Sequence, residues 1–212
     1  MTSAGSYRWS RGKNDLLTSR ERPPGAGGLA AACRGAVGFG LASLVVFGTV
    51  AFGERWMYQT LGLYGAYGAW TLLFIVPSAA ALRSLVADPA RKRAFPLLFA
   101  AAFFLYAVGW MAGYFLLRKS WGEQPAELVA SLLGSALLAL TLAVGLCAAR
   151  RFVPMFGILF AANTAGYFLG GALLFTLGRP VGMLLWGVVY GLLLGAGLGA
   201  AIHRAQEAAS ER

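Results

Sequence analysis

The long apolar runs of this sequence hold no Asp, Glu, Lys or Arg except near their ends. Proton relays, voltage sensors and ion-coupled carriers need charged groups at depth, at about 2.5–3.5 kcal/mol each at the bilayer centre. Those mechanisms are therefore not expected. Catalysis lacks its parts as well: there is no Ser/His pair at useful spacing, no HExxH and no carboxylate dyad. No catalytic residue and no enzymatic activity are expected. One histidine, His203, and two distant cysteines, Cys33 and Cys147, fit neither a metal site nor a disulfide framework. No metal or cofactor is expected either. The first 30 residues are polar and basic, without the short apolar core and small-residue cleavage site of a signal peptide. The first apolar run is thus expected to remain as an uncleaved anchor.

Charge itself is scarce. Only 12% of the 212 residues are charged and 58% are hydrophobic, against about 25% charged in a soluble domain. This composition implies an all-α integral membrane protein in a single bundle, with the bilayer as its first partner. The net charge of +10 comes from basic residues flanking apolar runs. There they set orientation, and nucleic-acid binding is not expected.

Six apolar segments are predicted to cross, near 36–53, 60–82, 95–117, 127–149, 152–177 and 181–203. Each is long enough for a core of about 30 Å at 1.5 Å per residue. Pro96, Pro125, Pro154 and Pro180 fall near the starts of four of them, where the missing N–H has no helical partner anyway. Pro77 lies deep in the second and predicts a kink. The domain plan is a disordered basic arm (1–34), a six-span bundle (35–204) and a short tail (205–212). The arm could contact anionic lipid through its six basic residues. Lys and Arg counted on alternate sides number 14 and 4, which predicts both termini in the cytoplasm. The Ala/Gly/Leu/Arg bias resembles that of a GC-rich bacterial genome, so a bacterial inner membrane is the expected location.

A shift of 57 residues lays the third span on the fifth. Phe95, Phe99, Phe103, Gly109, Gly113, Leu116 and Leu117 meet Phe152, Phe156, Phe160, Gly166, Gly170, Leu173 and Leu174. Gly134 meets Gly191 under the same shift. Spans 3–4 and 5–6 therefore read as duplicated helical hairpins.

Glycine supplies the candidate packing sites. Gly187, Gly191, Gly195 and Gly199 stand four apart in the last span, so they line one strip of a helix. In lipid such a strip lets two backbones approach and drives association. Its expected complement lies within the chain, the Ala162/Gly166/Gly170 strip of span five or the aromatic ridge of span three, with self-association as the second use. Gly109 and Gly113 form a smaller strip. Asn163 and Thr164 are the most polar pair at depth, suited either to interhelical hydrogen bonds or to lining a path. His203 extends the glycine strip and could sense pH. Phe95, Phe99, Phe103, Tyr106, Trp110 and Tyr114 form one aromatic face of span three, either a ligand platform or a packing ridge.

Three functions fit these features. The first is a non-catalytic scaffold, assembly or regulatory subunit that binds a copy of itself or a membrane-protein partner through glycine-mediated packing. The second is a passive transporter or channel for a small neutral or hydrophobic solute. The third is a regulator whose basic arm, residues 1–34, captures a soluble partner.

Overall fold

The computed structural model describes residues 26–210, with side chains over 27–207. Most of the expected basic arm therefore lies outside the described residues. Five long helices and one short turn make up the fold: α1 (Ala26–Arg83), α2 (Pro89–Trp121), α3 (Glu123–Gly145), a single 3-10 turn (Ala149–Arg151), α4 (Phe152–Leu177) and α5 (Val181–Ser210). All five long helices have the length and apolar character to cross a membrane.

α1 corrects the expected boundaries. Its 58 residues would run about 87 Å if straight, nearly three times the thickness of a hydrocarbon core. It is not straight. Helical geometry breaks at Gly62 (φ 68°, ψ 179°), a combination essentially confined to glycine. Across that break the chain returns on itself. Trp70 Nε1 donates to Thr49 Oγ1 at 3.0 Å, Phe39 and Phe74 pack edge to face at 4.7 Å, and Gly38 abuts Ala81. A first limb (26–61) and a returning limb (63–83) thus pack as an antiparallel pair. The break in helical geometry falls at Gly62 and not at Pro77.

Residues 26–34, expected in the disordered arm, are helical. Leu29-Ala30-Ala31-Ala32 favours helix, and this first stretch packs on the end of α5. A Cβ at Gly27 would stand 3.1 Å from the His203 ring, and Gly199 lies against the backbone of Ala31. The expected tail likewise continues α5 as far as Ser210.

α1 packs extensively on α5, α5 on α4 and α3 on α2, whereas α4 meets α3 and α2 meets α1 with far less contact. The bundle is therefore a ring with two looser junctions, α3 with α4 and, loosest, α2 with α1. Its core gathers toward the end that holds both the start of α1 and the end of α5. Phe39, Leu82, Phe95, Phe99, Leu142, Leu146, Met155, Leu198 and Ile202 are fully buried there. Polar ties close that end: Ala87 N–H donates to Gln206 Oε1 at 3.2 Å, and Arg91 Nη1 donates to the Leu146 carbonyl at 3.1 Å. Asp88 caps α2 by accepting from Ala90 and Arg91 N–H at 2.8 and 3.0 Å. The N–H of Arg91, helped by that of Ala90, holds its carboxyl below the usual carboxylate range. At the opposite end Arg179 Nη2 pairs with Glu54 Oε2 at 2.8 Å.

Candidate functional site

The glycine strip of α5 faces the first limb of α1. Gly199 meets Ala31, Gly195 meets Gly35 and Phe39, Gly191 meets Gly40 and Ser43, and Gly187 meets Phe47. A Cβ at Gly195 would stand 2.5 Å from the Gly35 carbonyl oxygen, and one at Gly191 2.9 Å from the Gly40 Cα. Only glycine permits that approach. Ser43 Oγ, fully buried, donates to the Gly187 carbonyl at 2.7 Å. The expected complement was wrong: the strip is matched by the far end of the sequence, not by α4 or by the aromatic ridge of α2. Gly166 and Gly170 lie instead against Tyr190 and Trp186, on another side of α5. Gly109 and Gly113 lie against Leu133 and Ala130 of α3.

Asn163 and Thr164 sit in a polar cluster built by four helices. Asn163 is 0% exposed. Its Oδ1 accepts from Tyr106 OH at 2.9 Å and from Tyr190 OH at 3.2 Å, and its Nδ2 donates to Ser131 Oγ at 2.8 Å. Ser131 and Thr164 hydroxyls share a further bond of 2.7 Å. Sequence reading selected Asn163 and, on the aromatic face, Tyr106 without joining them, and it missed Ser131 and Tyr190 as partners. One signal was present: Tyr106 lies 57 residues before Asn163 and occupies the equivalent position of the proposed repeat.

His203 stands over Gly27 and Gly28 and places Nε2 3.3 Å from Glu207 Oε1. It joins the two ends of the chain's helical region. Among the described residues no group of three His, Cys, Asp or Glu could hold a metal ion.

The aromatic face of α2 divides. Phe95 and Phe99 are fully buried and Phe103 packs with Phe39 and Phe74. Tyr106 and Trp110, further along, line open space. One cavity of about 310 Å³ lies among Phe47, Tyr106, Ala107, Trp110, Met111, Tyr167, Trp186 and Tyr190. Another of about 450 Å³ extends along Val46, Trp70, Phe74, Phe103, Phe104, Ala107, Met111 and Tyr190, among others. The two share Tyr106, Ala107, Met111 and Tyr190 and form one cleft where α2 fails to close on α1. Ala107 and Met111 at its edge are exposed, so it opens sideways. Its walls are largely aromatic and include the rings of Tyr106 and Tyr190, whose hydroxyls are bonded to Asn163; Asn163 lies behind them and lines neither cavity. A third cavity, about 700 Å³, adjoins through Tyr167 and Trp186 and adds Glu123, Gln124 and Glu127.

The fold and the cleft define a class: an all-helical protein whose long apolar helices suit an integral membrane protein, with no strand among its described residues. Comparison with protein-family models, curated proteins and solved structures finds no match to this chain.

Proposed function

We propose that this chain is a six-crossing, non-catalytic membrane protein whose lateral cleft takes up a small hydrophobic molecule from the bilayer. The cleft carries the proposal. It is laterally open and lined almost wholly by aromatic and aliphatic side chains, and a mostly apolar concavity is the common form of a small-molecule site.

The reversal at Gly62 supports six crossings, because each limb of α1 can span separately. The meeting of Gly27 with His203 supports both termini on one side, and the Lys/Arg imbalance of 14 against 4 supports that side as cytoplasmic. Duplication of α2–α3 as α4–α5 fits the paired contacts. Gly109 faces Leu133 and Gly166 faces Tyr190, each residue 57 positions from its counterpart. Location in a bacterial inner membrane accords with the same composition and charge pattern. The glycine strip now serves internal closure, so a scaffold has lost its main surface. One feature still favours that second reading: Gly53, Gly68, Gly157 and Gly171 have open space where a Cβ would stand, and another helix could approach there.

Ala107 lines both parts of the cleft and is exposed, so Ala107→Trp should fill it without disturbing the core. Purified protein in detergent should give saturable fluorescence enhancement of the neutral probe N-phenyl-1-naphthylamine. The variant should lose that enhancement while keeping its unfolding temperature. Equal signals from wild type, variant and empty micelles would refute the proposal.

A further inference from the structure

The outer rim of the cleft combines aromatic faces with a carboxylate that has no basic partner. Phe47, Trp186, Tyr167 and Trp110 form a continuous arc, with successive ring centroids 5.7, 5.7 and 5.8 Å apart. Tyr167 OH donates to Glu127 Oε1 at 2.9 Å, so the carboxylate lies one phenol beyond the apolar chamber. Glu127 is half-buried, and no Lys, Arg or His among the described residues forms an ion pair with it. Of the cations at that end, Arg55 and Lys119 are exposed and line none of these cavities, and two others are engaged elsewhere. Arg179 pairs with Glu54 at 2.8 Å, and the Arg118 guanidinium lies 5.5 and 5.4 Å from the Tyr114 and Phe115 ring centres. Neither lines these cavities. The N-terminus of α3 gives Glu127 little help, because the dipole acts mainly within the first turn and Glu127 begins the second.

A half-buried anion beside aromatic faces favours a positive ligand. Ring quadrupoles attract cations within about 6 Å, by about 0.5–1 kcal/mol at exposed sites and about 2 or more when desolvated. The carboxylate adds a charge complement, and the apolar chamber accepts bulky substituents. We infer that the cleft binds a lipophilic organic cation, its substituents among the aromatic walls and its charge held toward Glu127. Glu123, one helical turn away on the same cavity, supplies a second, more exposed negative charge. This inference deepens the proposed function and rests on it.

Tetraphenylphosphonium is the probe, measured by equilibrium binding to the full-length protein in detergent beside the neutral naphthylamine. Glu127→Gln keeps an acceptor for Tyr167 and removes only the charge. It should weaken tetraphenylphosphonium binding at least tenfold, leave the neutral probe unchanged and preserve the unfolding temperature. Glu123→Gln should weaken the cation by a smaller factor. Equal cation affinity in wild type and Glu127→Gln would overturn the charge assignment while the cleft stands. Loss of both probes in Glu127→Gln would overturn it too, making Glu127 a prop for Tyr167. If neither probe binds wild type, the cleft reading falls with it.

Discussion

Gly195→Ala adds one methyl group where the structure leaves no room. The new carbon would lie 2.5 Å from the Gly35 carbonyl oxygen, 2.8 Å from Phe39 Cβ and 3.0 Å from Ala36 Cα. Ordinary carbon contacts begin near 3.5 Å, so α1 and α5 must separate by about 1 Å. The obstacles are backbone atoms and a Cβ, which cannot rotate away as a flexible side-chain tip can. Separation here also loosens the flanking contacts at Gly191 and Gly199. Overpacking of this kind costs about 1–3 kcal/mol. Against it stands the helix-propensity gain of alanine over glycine, about 0.5–1 kcal/mol. Gly157→Ala isolates that gain, because nothing lies within 4 Å of its Cβ position. The difference between the two variants therefore reports the steric part alone. Thermal unfolding in one detergent, followed by tryptophan fluorescence, should place Gly195→Ala about 2–12 °C below Gly157→Ala, at about 2–4 °C per kcal/mol for a chain of this size. If the two unfold within about one degree of each other, the α1–α5 seam is not the close contact described.

Gly62→Ala should lower stability by about 1–3 kcal/mol through backbone strain alone, since no atom lies near its Cβ position; unchanged thermal unfolding would mean that the turn relaxes freely. Asn163→Leu should cost about 1–2 kcal/mol, by weakening the satisfaction of Tyr106 and Tyr190; altered solute flux at unchanged stability would instead argue for a path through Asn163. Asp88 has a depressed folded-state pKa, so its contribution is present above the unfolded carboxyl value of about 3.9 and fades as pH falls through the lower folded value. Asp88→Ser keeps a capping oxygen without that titration, and its unfolding temperature should fall less steeply below about pH 4 than that of wild type; parallel curves would contradict the assigned role of Asp88.

The apolar helices were legible because hydropathy reports them directly: those starting at residues 152 and 181 begin at the expected limits, and those starting at 89 and 123 begin one to two turns before them. The first two spans were harder to separate. Residues 54–59 read as a loop because the charges of Glu54 and Arg55 interrupt the apolar run. In the structure Glu54 is held by Arg179 and the helix continues past it. The reversal needs a single glycine at positive φ, and Gly62 is one of several in Leu61-Gly-Leu-Tyr-Gly-Ala-Tyr-Gly68. Nothing in composition selects among them.

The misassigned complement has a more instructive cause. Short connections make sequence neighbours spatial neighbours, which pointed the α5 strip toward α4. α5 does pack on α4, but through Trp186, Tyr190 and Gly197, while its glycine edge remained free for another helix. A ring of helices must bring its first and last members together, and the small residues that receive α5 were present in the sequence: Ala31, Gly35, Gly40 and Ser43. Assigning residues up to 34 to a disordered arm hid the start of that row. The same closure explains the cleft. Two backbones that approach as closely as α1 and α5 hold the first limb tightly, and the bulky rings of the returning limb and α2 cannot pack equally close on the other side. A close seam and an open cleft thus flank α1 as two consequences of how side-chain volume is distributed along the chain.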